Sequence, residues 1–375
     1  MIRPGRRLRM RRRATTMSSV TARPAGALAI ALCLAGCIHP SPAQTARADC
    51  DGGSAAGCFE LGRMYDEGTG VPKDVGRAAA LYDAACERGE PAGCFNRANL
   101  ANEAGDLPRA VRDYTRACRA ELRLCRGIAS LLEVGRGVPR NPEAAARHHA
   151  ASCHAGDTRG CFGLADLLVE GKGVGRDPAR ASALLEKGCA DGHAPSCGRL
   201  AELVGGAGGA SDRRAFALYD KACSLGHNAS CTDLAGLYSM GKGVPVDDAR
   251  AVLLYERACE AGSASACDNL GNRYQDGSPE QRGRADVLHA RALSLWDDAC
   301  RRGDPSSCWT VGVLLRNRAG VPRARVSDLF ERSCDGGSAM GCFELADLLR
   351  PEDPAGSKRA MKRACDEGLD FACSR

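Results

Sequence analysis

Twenty cysteines set the frame of this sequence, because they recur in ten pairs whose internal spacing barely varies. In chain order, Cys50 stands before Cys58, Cys86 before Cys94, Cys118 before Cys125, Cys153 before Cys161 and Cys189 before Cys197. Then Cys223 stands before Cys231, Cys259 before Cys267, Cys300 before Cys308, Cys334 before Cys342 and Cys365 before Cys373. Seven residues separate the members of nine pairs, and six separate Cys118 from Cys125. The stretch CDGGSAAGCFEL at 50–61 even returns as CDGGSAMGCFEL at 334–345, with Met340 where the first copy has Ala56. A ruler of this kind marks a repeat array, so the two or three compact domains that 375 residues would otherwise suggest are not the expectation.

The amino terminus is of another kind. Residues 1–36 hold eight arginines and no acidic residue, and they run into the apolar stretch ALAIALCLAGC at 27–37. A basic head before a short apolar run is a secretory signal, too short to remain as a membrane-spanning helix. LAGC at 34–37 resembles a bacterial lipobox, which implies that Cys37 is lipidated and becomes the new amino terminus. An ordinary signal cleaved near Ala43, giving a secreted chain, is the alternative. The chain thus divides into a signal (1–36), a short flexible linker (37–49) and a cysteine-rich array (50–375). The whole chain carries a formal charge of +6, and without the eight signal arginines the remainder stands at −2. With no basic stripe interleaved with aromatics in that remainder, nothing points to a nucleic-acid partner.

An exported chain meets oxidising conditions, where an even and regularly spaced cysteine set reads as a disulfide framework. Pairing across the long intervals would leave Cys50 and Cys373 over, whereas local pairing leaves none. Local pairing also suits a short turn between the end of one helix and the start of the next. For a loop of about eight residues, chain entropy gives about 2.5 kcal/mol per bridge. Structural zinc favours cysteines two to four apart, which the long gap does not supply. His148, His149 and His154 flank Cys153 within an ordinary repeat and read as packing or surface residues.

Between the rulers lie nine units, and the one from Cys231, CTDLAGLYSMGKGVPVDDARAVLLYERACEAGSASA, shows their plan. Cys231, Leu234, Ala235 and Tyr238 keep helical spacing, so a first helix buries one face. GKGVP ends it, since Gly241 and Gly243 admit positive φ and Pro245 cannot continue a helix. A second helix starts at Asp247/Asp248, acids suited to a helix amino end, and turns Ala251, Tyr255 and Cys259 to one side. Four residues before the joint cysteine an aromatic recurs, as Tyr82, Tyr114, Tyr219, Tyr255, Trp296 and Phe330. Three residues after that cysteine a glycine stops the helix in nine joints of ten, and Glu121 is the exception that requires a differently built turn. The fourth residue after each second cysteine is glycine or alanine throughout, which lets helices approach closely. Hairpins too small to hold a core alone must stack. The expected fold is all-α, a solenoid of about nine disulfide-stapled helical hairpins with an extended concave face.

LGRMYDEGTGVPKD at 61–74, LADLLVEGKGVGRD at 164–177 and LAGLYSMGKGVPVD at 234–247 resemble Sel1-like repeats, relatives of the tetratricopeptide repeat. With the cysteine ruler added, the chain is similar to secreted repeat proteins of the Helicobacter cysteine-rich type. The resemblance implies a right-handed α/α solenoid without cofactor, anchored in the bacterial envelope by lipid alone. It also implies binding of an envelope protein, a peptide or a peptidoglycan fragment in the concave face. The second unit (no Gly-x-Gly-Val), the fifth (GGAGGA at 205–210), the seventh (41 residues) and the ninth (RPEDPAGS at 350–357) depart from the pattern.

The same resemblance implies one alternative, a weak β-lactamase or penicillin-binding hydrolase. Only SMGK, Ser239 to Lys242, matches the Ser-x-x-Lys of such enzymes, and neither Ser-Asp-Asn nor Lys-Thr-Gly occurs. Gly-x-Ser-x-Gly and His-Glu-x-x-His are absent too, so the residues name no catalytic set and no metal set. Residues two, five and six after each second cysteine point away from the apolar stripe. They make a candidate binding face of Glu60, Arg63, Asp166, Glu202, Asp233, Asn269, Asn272, Glu344 and Asp347. Peptide mapping under non-reducing conditions should return only links of the Cys50–Cys58 kind; a Cys58–Cys86 link would overturn the connectivity.

Overall fold

The joints expected from the cysteines are where the helices break. The structure, a computed structural model, describes residues 40–206 and 208–374, so the expected signal and Cys37 lie outside the described residues. Those residues form nineteen α-helices and two short 3-10 helices (Leu122–Cys125 and Asp370–Ala372), with no strand among them. After α1 (Pro42–Asp51) come nine hairpins, each a first (A) and a second (B) helix. They are α2 (Ala55–Glu67) with α3 (Val75–Glu87), α4 (Pro91–Glu103) with α5 (Leu107–Ala120), and α6 (Arg126–Val134) with α7 (Pro142–His154). Next come α8 (Thr158–Glu170) with α9 (Pro178–Ala190), α10 (Ala194–Val204) with α11 (Ala210–Ser224), and α12 (Asn228–Met240) with α13 (Asp248–Glu260). The last three are α14 (Ala264–Gln275) with α15 (Pro279–Arg301), α16 (Pro305–Arg316) with α17 (Arg323–Asp335), and α18 (Ala339–Leu349) with α19 (Pro354–Asp366). Each helix packs chiefly on its neighbours in sequence, the nearest-neighbour order of a solenoid. The core is accordingly a chain of local clusters bridged by half-buried side chains such as Leu218 and Trp296.

All ten bridges are local, with Cα–Cα distances of 4.3–4.8 Å. Cys50 is bonded to Cys58, Cys86 to Cys94, Cys118 to Cys125, Cys153 to Cys161 and Cys189 to Cys197. Likewise Cys223 is bonded to Cys231, Cys259 to Cys267, Cys300 to Cys308, Cys334 to Cys342 and Cys365 to Cys373. The first nine tie the last turn of a B-type helix to the start of the next A helix, and the tenth ties α19 to the closing 3-10 turn. The nine joint glycines sit at φ between 84° and 96°, the left-handed stop that only glycine takes without strain. Glu121 cannot do this. It is extended at φ −146°, and the 3-10 turn Leu122–Cys125 carries the chain into α6 instead.

The expected linker 37–49 needs correcting from Pro42 onward, where the chain is α1. Ser41 starts that helix by a capping box: its hydroxyl accepts from the Gln44 N–H, and the Gln44 side chain accepts from the Ser41 N–H. Ala43, Ala46 and Cys50 are buried against α2, so α1 is a B-type helix to which the first bridge attaches.

Packing between A and B helices rests on the small residues. Ala98, Ala129, Ala165, Ala201, Ala235 and Ala346 are fully buried, while Gly62 and Gly312 lie under the rings of Tyr82 and Phe330. In the seventh unit the ring over Gly271 belongs to His289, because α15 is 23 residues long; Trp296 is displaced to a half-buried place between two clusters. His149 fills the equivalent slot of α7 with its ring against Gly163, a packing role as expected.

The turns inside α2–α3, α6–α7, α8–α9 and α12–α13 are closed as the sequence indicates. Gly241 ends α12 in the left-handed region, and Asp247 caps α13 by accepting from the Arg250 N–H. Gly243 has the tighter requirement: a β-carbon there would lie 2.4 Å from the Asp212 carbonyl oxygen of the preceding hairpin. Gly226, at φ 89°, has open space around it. Gly226→Ala should therefore cost about 1 kcal/mol, and Gly243→Ala roughly 3 kcal/mol, by denaturant unfolding. Equal losses would show that the hairpins do not press on each other at Gly243.

Candidate functional site

The candidate face is built from side chains that the helix period turns away from the buried stripe of each A helix. On α2, Arg63 donates to Glu60 (3.1 Å) and Glu67 (2.6 Å) of its own helix. Between α8 and α10, Arg199 donates to Asp166 (2.7 Å) and to Glu202 (2.5 Å), tying two hairpins together. Arg316 of α16 does the same for α18, holding Glu344 and Asp347 (2.7 Å to the latter). On α14, Asn272 donates to Asp268 (3.2 Å), and its amide oxygen is 3.1 Å from His289 Nε2. Asn269 is half-buried beside them. Asp233 on α12 is the exception: it takes part in no hydrogen bond or ion pair among the described residues.

Electrostatics single out the same stretch. Burial raises the Asp166 carboxyl, and the Arg199 hydrogen bond opposes it. Burial would lower the Arg199 guanidinium, but its bonds to Glu202 and Asp166 outweigh that and raise it. Asp233 is pushed up to about 6, by burial first and by Glu202 second. It is nonetheless open to water. Tyr219 and Tyr255, from the B helices α11 and α13, reach into the field of Asp233. Both phenols are raised by burial, with Asp233 adding to the effect.

A second opening lies where the seventh unit lengthens. Helices α14, α15 and α16 and the start of α17 enclose a cleft of about 920 Å³, lined among others by Asp268, Asn272, His289, Asp297 and Arg325. Ser239 accepts a hydrogen bond from Arg273 (2.6 Å), and Lys242 is exposed in the turn that follows. Cys118, Cys125 and His148 gather their sulfurs and a nitrogen within 4.8 Å, but the sulfurs are bonded to each other, which leaves too few ligands for a metal. His154 is exposed.

The sequence matches the Sel1 repeat over residues 55–90, 118–157, 158–193, 194–227, 228–263 and 264–304. The chain belongs to the Sel1 repeat family. Of the departing units, the fifth and seventh fall within the matched Sel1 spans, while most of the second and all of the ninth lie outside them. The fold is similar to that of a protective antigen of uropathogenic Escherichia coli displaying an SLR fold, at 20% identity and a TM-score of 0.50, covering 88% of this chain and 80% of that one. A Sel1 repeat protein from Oxalobacter formigenes is 22% identical with a TM-score of 0.49, covering 59% of this chain and 97% of its own. No curated protein matches the chain.

Within this Sel1 array, sequence reasoning found the acids of the face but missed what neutralises them. Arg199 and Arg273 stand two and six residues after Cys197 and Cys267, at offsets that define the face but were not read as its neutralising partners, whereas Arg97 and Arg316 stand three and eight after theirs, outside those offsets. Arg97 is the most enclosed, paired with the buried Asp113 (2.6 Å) and with Asp83 and Glu87 (both 3.2 Å). The tyrosine tips were equally hidden, since a tyrosine in a packing slot reads as core.

Asp233 yields a pH prediction. Its folded pKa lies above its unfolded value of about 4, so its charge destabilises the fold as pH rises through the window between about 4 and about 6. Asp233→Asn should therefore raise the unfolding midpoint at pH 7.5 and change it little at pH 4. A loss of stability at pH 7.5 would mean that the carboxylate has a cationic partner.

Proposed function

We propose that the chain is an extracytoplasmic scaffold that holds a protein partner, a peptide or a peptidoglycan fragment along its A-helix face. Ten disulfides belong to an oxidising compartment. No helix among the described residues is long and apolar enough to cross a membrane. Lipid on Cys37 would then anchor the chain in the bacterial envelope, as its likeness to the Helicobacter cysteine-rich type suggests. The observation that supports binding most directly is the run Asp166, Arg199, Glu202 and Asp233, where three successive hairpins bring polar groups together on a bridged frame. A surface ordered in advance loses little entropy when a partner lands on it.

The hydrolase alternative has less support. The Ser239 hydroxyl is held by a guanidinium, which cannot take its proton, and a nucleophilic serine needs an adjacent base. The test is purification of the full chain from envelopes after cross-linking. Partners should be recovered with it, and Asp166→Lys with Glu202→Lys should cut recovery about tenfold, the loss of one or two charge pairs. Cys37→Ala should move the chain from the membrane fraction to the soluble one. Opening of nitrocefin that Ser239→Ala abolishes would install the hydrolase reading instead.

A further inference from the structure

In three hairpins the turn closes directly against the hairpin before it. The glycine twelve residues after the second cysteine makes the contact: a β-carbon on Gly137, Gly173 or Gly243 would lie within 3 Å of Leu107, Pro142 or Asp212 respectively. Each of those partners stands eleven residues before a joint cysteine, in the first turn of a B helix. Gly320 is the same glycine in the eighth hairpin, and nothing lies within 4 Å of where its β-carbon would be.

The length of α15 explains the lost contact. Counting back eleven residues from Cys300 reaches His289, which lies well inside a helix of 23 residues instead of in its first turn. The backbone of a first turn is bare on its amino side, whereas that of an interior residue is sheathed by the side chains of the turns around it. The turn that holds Gly320 therefore stands off from α15. The gap is the cleft of about 920 Å³ described above, to which the turn contributes Arg318 and Val321, and α15 contributes Asp286, Ala290 and Leu293.

That volume is in the range of sites that enclose small ligands. Ala290, Leu293, Leu314 and Val321 give the cleft apolar walls, and Leu314 is 47% exposed, a large side chain without cover. Most of the charges in the lining are already engaged. Asp297 has Arg301 (3.2 Å) and Arg325 (3.7 Å), and Asp268 accepts from Asn272, whose amide oxygen meets His289. Asp286 and Arg318 are different: neither side chain has a hydrogen bond or ion pair among the described residues. They carry opposite charges and line one cleft, yet they do not reach each other across it.

We propose that this cleft is a second binding site, for a short peptide segment that carries apolar side chains between a basic and an acidic one. The basic side chain meets Asp286, the acidic one takes the forked donors of Arg318, and the apolar ones cover Leu293, Leu314 and Val321. A ligand of one charge sign would satisfy only one of the two unpaired groups, and a wholly polar one would leave the apolar walls in water. The site is distinct from the run on the A-helix face, since Asp166, Arg199, Glu202 and Asp233 do not line it.

The test is fluorescence anisotropy of the full chain with a dye-labelled, carboxy-amidated peptide, Lys-Leu-Val-Glu, offered also in the reverse order. At least one order should bind with a Kd below about 1 mM. Asp286→Asn should weaken that binding about threefold but leave unchanged a peptide with glutamine in place of lysine; Arg318→Gln should show the same pattern against glutamine in place of glutamate. Ala290→Trp, which fills the cleft, should abolish binding. All three positions are exposed, and unfolding curves verify that the variants fold. No binding in either order, binding that survives Ala290→Trp, or losses that ignore the charges of the peptide would each overturn the site. Asp166→Lys with Glu202→Lys should bind the peptide as the native chain does, so a failure here and a failure of the A-helix-face reading are separate results.

Discussion

The end of each B helix is held within 4.8 Å of the start of the segment that follows it, Cα to Cα, and everything else in the stack follows from that covalent contact. So short a link leaves room for one tight turn, which explains why nine joints use a left-handed glycine. It also fixes where the next hairpin lands, and hence why the residue under each ring must be no larger than alanine. The bridges act largely by limiting the unfolded chain. A protein whose core is a string of local clusters gains more from such limits than one with a single large core, since its core contacts run chiefly between neighbours in sequence.

On this frame the polar face divides into groups that cross-link the frame and groups that do not. Arg97, Arg199 and Arg316 spend their hydrogen bonds between neighbouring helices, and each exposed pair of this kind contributes little by itself. Their effect is to keep most acids of the face occupied. Asp233 stands out because the same arrangement leaves it, an exposed acid in the middle of the array, without a hydrogen-bond or ion-pair partner among the described residues.

The joints were legible in the sequence because one short segment carries cysteine, glycine and cysteine at fixed offsets, and local geometry determines such segments. The hairpin turns were legible for the same reason: Gly241, Gly243 and Asp247 each have one structural use there. What escaped depends on helices far apart in sequence. Nothing in PAQTARADCD announces a helix until Ser41 is seen to cap it and α2 to cover its alanines. The ring over Gly271 could not be assigned to His289 by counting back from Cys300, because the length of α15 changes which residue arrives there. The acids of the face were found by counting along one helix, but arginine partners such as Arg199 and Arg316 lie about 30 residues away on a neighbouring hairpin.

The small loops closed by the bridges also bear on how such a chain endures damage. A cut in the peptide backbone between Cys50 and Cys58, or inside any of the other nine loops, leaves both fragments joined through sulfur. A cut in the turn between A and B helices, such as the one around Gly70, has no such tether and severs the chain. Under proteolysis the molecule is thus forgiving at its ten joints and vulnerable at its nine hairpin tips. Where such a tip is capped and closely packed, as around Gly70, Asp74 and Gly243, that closure is therefore a defence as well as a means of folding.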